Sequence, residues 1–114
     1  MIQICYTRNG STFGLQASGH AGSAPVGEDL VCCAVSTLVQ TLAQRVLDLE
    51  AEELAIDASV ILEPAGSCIR AKTAAGSVML MSAFETIVTG LQMLAEQWPQ
   101  FVVLNCYEII PETG

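Results

Sequence analysis

Imidazole and positive charge are what this chain has least of. A single histidine, His20, and four cations, Arg8, Arg45, Arg70 and Lys72, stand against twelve acidic residues, for a formal net charge of −8. Binding to nucleic acid depends on neutralising phosphates with Lys and Arg, so this balance argues against direct nucleic-acid contact; a basic polypeptide suits the field better. The lone histidine also weighs against zinc. Together with the adjacent Cys32 and Cys33 it supplies neither separated ligand spacing nor a fourth ligand, and no metal or other cofactor is expected. The five cysteines, Cys5, Cys32, Cys33, Cys68 and Cys106, are an odd number without a disulfide-framework spacing. The chain opens in a strand-like run and not in a signal peptide, so a reducing, cytoplasmic location is expected. No uninterrupted apolar run approaches the roughly 18 residues of a membrane span. The most apolar uncharged stretch, Leu30 to Gln44, is broken by Ser36, Thr37, Gln40 and Thr41, and no membrane association is expected. Internal repeats and low-complexity segments are absent too.

What is present is apolar material, 52% of the 114 residues, with only 14% charged. That suffices for one domain with one well-filled core, and it suggests that another subunit covers some apolar surface. Ile2, Ile4 and Tyr6 alternate with polar neighbours, Asn9-Gly10 marks a tight turn, and Phe13, Leu15 and Ala17 alternate again, which predicts a β-hairpin. The loop from Ala21 to Glu28, with Gly22, Pro25 and Gly27, favours an irregular path. Val31, Ala34, Val35, Leu38, Leu42 and Val46 recur at helical spacing, predicting a helix from Asp29 to about Leu47. The acidic stretch Asp48 to Glu53 reads as its solvated end. Leu54, Ile56, Ala58, Val60 and Leu62 alternate as a strand, Pro64-Ala65-Gly66 turns the chain, and Ser67 to Lys72 returns as the partner. Gly76-Ser77 introduces a second helix, with an apolar face from Leu80 to Trp98 and Pro99 at its end; Phe101 to Ile110 closes as a strand. Met79, Met81, Met93 and Trp98 read as packing around that helix, and Cys5, Cys68 and Cys106 as core or sheet residues. The order ββαββαβ predicts an α+β fold, a single domain with helices packed on a mixed or antiparallel sheet.

Chemistry concentrates between the first hairpin and the first helix. His20 follows a strand, and Cys32 becomes the third helical residue if Asp29 is the N-cap. A helix N-terminus carries positive partial charge and unpaired N–H groups, which stabilise a thiolate and can face the oxyanion of a tetrahedral intermediate. An imidazolium alongside would stabilise the thiolate further, so Cys32 and His20 have the makings of a nucleophile and its acid/base partner. Spacing alone does not separate this from an inert buried cysteine. Asp29 has two readings, a helix cap or a group orienting His20. Ser36, one turn beyond Cys32, either faces the same cleft or bonds back to its own helix. Two other functions stand beside catalysis: a noncatalytic binding domain, and a thiol redox sensor using Cys32 and Cys33. The sensor is disfavoured because adjacent helical side chains diverge by about 100°.

The residues carry more than the spacing does. Gly19-His20-Ala21-Gly22, then Gly27-Glu28-Asp29-Leu30-Val31-Cys32-Cys33-Ala34-Val35-Ser36, resembles the ribosomal-processing cysteine protease family, Prp, found in a subset of bacteria. The resemblance covers residues 19 to 38 in detail and the whole chain in length and element order. It implies a cysteine endopeptidase domain over residues 1–114, with His20 as catalytic histidine and Cys32 as nucleophile. Gly22, Asp29, Cys33 and Ser36 would be supporting or substrate-binding positions. The chain departs from the pattern at Cys33, where a small residue such as alanine is usual, and in the loop Ser23-Ala24-Pro25-Val26, and the second thiol leaves two candidates for the nucleophile. Such proteins remove a short N-terminal extension from the large-subunit ribosomal protein numbered twenty-seven, cutting after a phenylalanine in an apolar stretch. The resemblance therefore implies a single-domain α/β sandwich, a homodimer, and the precursor of that protein as partner, whether the chain cuts it or, as a noncatalytic ribosomal-protein-binding domain, only holds it.

Overall fold

The first hairpin forms as its alternation predicts: β1 (Ile2–Asn9) and β2 (Thr12–Ser18) are antiparallel, and the chain reverses at Gly10, whose φ of 61° suits a residue without a Cβ. The structure, a computed structural model, describes residues 1–19, 28–63 and 66–109, the side chains at 28 and 29 excepted. Beyond the hairpin come α1 (Glu28–Ala51), β3 (Ala55–Glu63), β4 (Gly66–Thr73), α2 (Met79–Gln97) and β5 (Val102–Ile109). The expected order ββαββαβ is therefore observed.

The strands make one mixed sheet in the order β3-β4-β2-β1-β5, antiparallel throughout except for β1 beside β5. Period-2 alternation sends Ile4, Phe13, Leu15 and Ile69 to one face, where Val35, Val39, Leu42 and Val46 of α1 and Leu80, Phe84 and Leu91 of α2 meet them. None of these is more than 4% exposed, so one continuous core joins both helices to the sheet. The molecule is only 20 Å thick along its shortest axis, which fits two layers. Among the described residues nothing covers the other sheet face. The row Ile61, Cys68, Gln16, Cys5 and Asn105 lies across it, so Cys5 and Cys68 are sheet residues outside the core.

Four expectations need correcting. The first helix reaches Ala51 and takes in the start of the acidic stretch, whose outward side chains tolerate helix as well as loop. The alternation of β3 is broken: Ala55 is buried while Ile56 is exposed, and a bulge between Ile56 and Ser59, with Asp57 at φ 54°, resets the phase so that Ala58 and Val60 reach the core. Met79 and Met93 are exposed; of the four residues read as packing around α2, only Met81 and Trp98 touch the core. Finally, Leu30–Ala51 is long and apolar enough to cross a membrane, with a hydropathy of 1.5. Thr37 and Thr41 do not interrupt the helix because their hydroxyls donate to the carbonyls of Cys33 and Thr37, at 2.8 and 2.7 Å. Here the apolar stripe of that helix is spent on the sheet.

Candidate active site

The site begins where β2 ends. Gly19 has a φ of 81°, and a Cβ there would collide with the Met1 carbonyl, so only glycine leads the chain out of β2 by this path toward residue 20. His20, Gly22 and the loop of residues 21–27 lie outside the described residues, as does the side chain of Asp29. The backbone of residue 29 is described, and it corrects the capping expectation. Helix α1 starts at Glu28, so Asp29 is its second residue and Cys32 its fifth. Cys32 thus lies past the turn whose N–H groups are free, and its own N–H is engaged within the helix; an oxyanion would have to be met by donors nearer the start.

Cys32 is half-buried in the wall of a cleft of about 390 Å³. Helix α1 forms this wall with Cys32, Ser36 and Gln40, each one i→i+4 step from the last, and with Val35 and Val39 behind them. The end of the β3–β4 hairpin forms the opposite wall, through Leu62, Glu63, Gly66 and Ser67. Ile2, Ala17, Ser18 and Gly19 make the floor. Register explains the meeting: Ser18 pairs with Gly66, which itself pairs with Glu63, so the adjoining ends of β3 and β4 lie beside the exit of β2. The structure therefore joins Cys32 and Ser36 in one cleft and leaves Cys33 out of it, exposed on the next helical position. A thiol there faces apolar groups on both walls, Val35 and Val39 on one and Leu62 on the other, and polar groups at Ser36, Gln40, Ser67 and Glu63. Such a mixture accepts an apolar side chain and holds the polar backbone that carries it.

Comparison with known proteins accords with that thiol-bearing cleft. The family model for cysteine protease Prp matches residues 1–103. The chain belongs to the cysteine protease Prp family. It is accordingly a cysteine-type protease, and the noncatalytic binding reading gives way. The crystal structure of SMU.848 from Streptococcus mutans is similar over 96% of this chain and 96% of that one, with 28% identity and a TM-score of 0.67. An essential ribosomal processing protease Prp from S. aureus, in complex with a covalently linked product peptide, shares the fold at 19% identity and a TM-score of 0.73, over 93% of this chain and 99% of that one. The S. aureus protease in complex with a substrate peptide gives a TM-score of 0.71 at 17% identity, with the same coverage. No curated protein matches the chain.

Sequence reasoning missed the second wall. Leu62, Glu63, Gly66 and Ser67 carry no motif, and Gly66 reads only as part of a turn; their place beside Cys32 arises from the pairing of β4 with β2, which links residues distant in sequence. Gln40 reads in the sequence only as a polar interruption of an apolar run.

Proposed function

We propose that this chain is an endopeptidase that removes the N-terminal extension of the large-subunit ribosomal protein numbered twenty-seven. The observation that carries this reading is Cys32 in the wall of a cleft with an apolar side. Family membership and the motif around His20 and Cys32 support it, as does the likeness to a ribosomal processing protease from S. aureus. In the proposed reaction the Cys32 thiolate attacks the scissile carbonyl carbon. The C–N bond breaks, His20 as imidazolium protonates the leaving amine, and a thioester remains. Water, deprotonated by His20, then hydrolyses the thioester and restores the thiol. Leu62, Val35 and Val39 suit an apolar or aromatic residue before the cut, and Ser36 would support the reacting backbone.

The test is incubation of the purified chain with the precursor from the same cell, followed by mass spectrometry of the products. One cut after a phenylalanine is expected, with loss of that cut when the phenylalanine is replaced by aspartate. An intact precursor would overturn the reading. We propose further that the protein works in the cytoplasm as a homodimer. Five free cysteines suit a reducing compartment, and the uncovered sheet face with Val103, Tyr107 and Ile109 exposed suits a second copy. Sedimentation of the purified chain as a monomer at micromolar concentration would overturn the dimer.

A further inference from the structure

The cleft at Cys32 does not stop at Gln40. A second, shallower depression of about 510 Å³ runs on along the outer face of α1, lined by Thr37, Gln40, Thr41, Gln44, Arg45 and Asp48, and Gln40 belongs to both. Along this track the polar side chains are mostly committed to the helix itself. Thr37 and Thr41 donate to carbonyls four residues back, and Gln44 donates to Asp48 Oδ1 at 2.9 Å. Gln40 is exposed at the junction and makes no side-chain hydrogen bond among the described residues. A carboxamide offers a donor and an acceptor together, the same pair that each residue of an extended peptide presents from its backbone.

The spacing agrees with such a partner. Cys32, Ser36 and Gln40 lie on one i→i+4 ridge, which is inclined by about 26° to the helix axis, so a chain following it crosses α1 obliquely toward the second depression. Each i→i+4 step advances about 6 Å along the helix. Two residues of extended chain advance about 6.6 Å, so side chains on this ridge meet every second peptide unit on the same side. Gln40, two steps from Cys32, stands about four substrate residues from the scissile bond on this reckoning.

We propose that Gln40 is a substrate-positioning residue whose carboxamide holds the backbone of the extended substrate chain as it leaves the cleft along α1. The inference rests on the peptidase reading, since its occupant is the continuation of the peptide that Cys32 attacks. Recognition here is blind to side chains: it selects for an extended segment of sufficient length, while the apolar wall selects the residue at the cut.

The test uses a peptide spanning the processing junction with about six residues on each side, long enough to pass Gln40. Peptides shortened separately from each end are compared with it, using wild type, Gln40→Ala and Gln40→Glu. On the long peptide Gln40→Ala should raise KM by roughly three- to tenfold, the scale of one uncharged hydrogen bond, with kcat unchanged. Gln40→Glu keeps the reach and accepts but cannot donate, and should fall between the two. Shortening one particular end to about two residues should raise the wild-type KM and abolish the difference between wild type and Gln40→Ala. Equal KM for wild type and Gln40→Ala on every peptide would overturn the inference and leave the peptidase reading intact, and so would a difference that survives shortening at both ends. Failure of wild type to cut any peptide or the precursor would instead overturn the reading beneath it. Circular dichroism melting of both variants checks that the exposed substitution leaves the fold unchanged.

Discussion

Cys32 and Cys33 adjoin in the chain and part company in space, one in the cleft wall and the other exposed on the next helical position. In the proposed mechanism the cleft thiol, Cys32, is the one that attacks. Cys32→Ser is expected to reduce cleavage to background while leaving the fold intact, because a hydroxyl of far higher pKa replaces the thiol at nearly the same size. Cys33→Ala should keep most activity, and the reverse ranking in a peptide-cleavage assay would move the nucleophile. Tyr6 ties stability to alkaline pH. Tyr6 stacks on Phe84 with ring centroids 6.1 Å apart, and its buried hydroxyl has no partner among the described residues. Burial, then the Glu85 carboxylate, raises it above its ordinary 10.0; burial, then Cys5, raises Cys106 above 9.0. Both groups are held protonated by folding, so the stability they lend is present below their unfolded values and is lost as pH rises through the raised ones. Tyr6→Phe should therefore be neutral or stabilising by up to about 1 kcal/mol at pH 7, since no hydrogen bond is lost. Its advantage over wild type should grow above about pH 10, as measured by urea unfolding at the two pH values. A loss of stability at pH 7 would reveal a partner for the hydroxyl.

At the scale of elements, the site is made by the start of β1, the end of β2, the adjoining ends of β3 and β4, and the flank of α1. Their roles separate experimentally. Leu42, on the inner face of α1, is fully buried, and Leu42→Ala should cost about 2–5 kcal/mol with little change in kcat for the molecules that remain folded. Gly19→Ala meets both a left-handed φ and the Met1 carbonyl, so it forces the exit of β2 onto another path. It should cost more than about 1 kcal/mol and, in addition, lower kcat in the folded fraction, because the next residue is His20. Thermal melts paired with active-site titration distinguish the two behaviours. A Gly19→Ala enzyme with normal turnover per folded molecule would detach this path from the chemistry.

Across the whole molecule, the few cations are unevenly used. Arg8 lies 3.8 Å from Glu85 and 4.0 Å from Glu108, and Arg45 lies 4.0 Å from Glu52. Arg70 and Lys72 lie on the uncovered sheet face, in the same rows as Gly14 and Thr12. Among the described residues that line the cleft, Glu63 is the one charged side chain, and the chain as a whole carries a net charge of −8. A substrate with a basic body should be captured faster than its isolated apolar extension, through a field that salt screens over about 10 Å at 0.1 M. The ratio of kcat/KM for full precursor over short peptide should fall several-fold between low and high salt. A salt-independent ratio would exclude this steering.

The order of elements, the first hairpin, the buried faces of both helices and the pairing of Cys32 with Ser36 on one helical flank were legible in the residues, because period 2, period 3.6 and turn chemistry are local. So was the family, through the run from Gly19 to Ser36. The start of α1 at Glu28 was not legible: Asp29 is a good N-cap and also tolerates the first turn, so local preference does not choose between them. The bulge at Asp57 was hidden for a similar reason, since a run of alternating residues reads smoothly while one extra residue shifts its phase. The far wall of the cleft was beyond any local signal. Leu62, Glu63, Gly66 and Ser67 stand opposite Cys32 because β4 pairs with β2 in the register Ser18 to Gly66, and such long-range pairing is decided by how the whole sheet buries its apolar face against two helices.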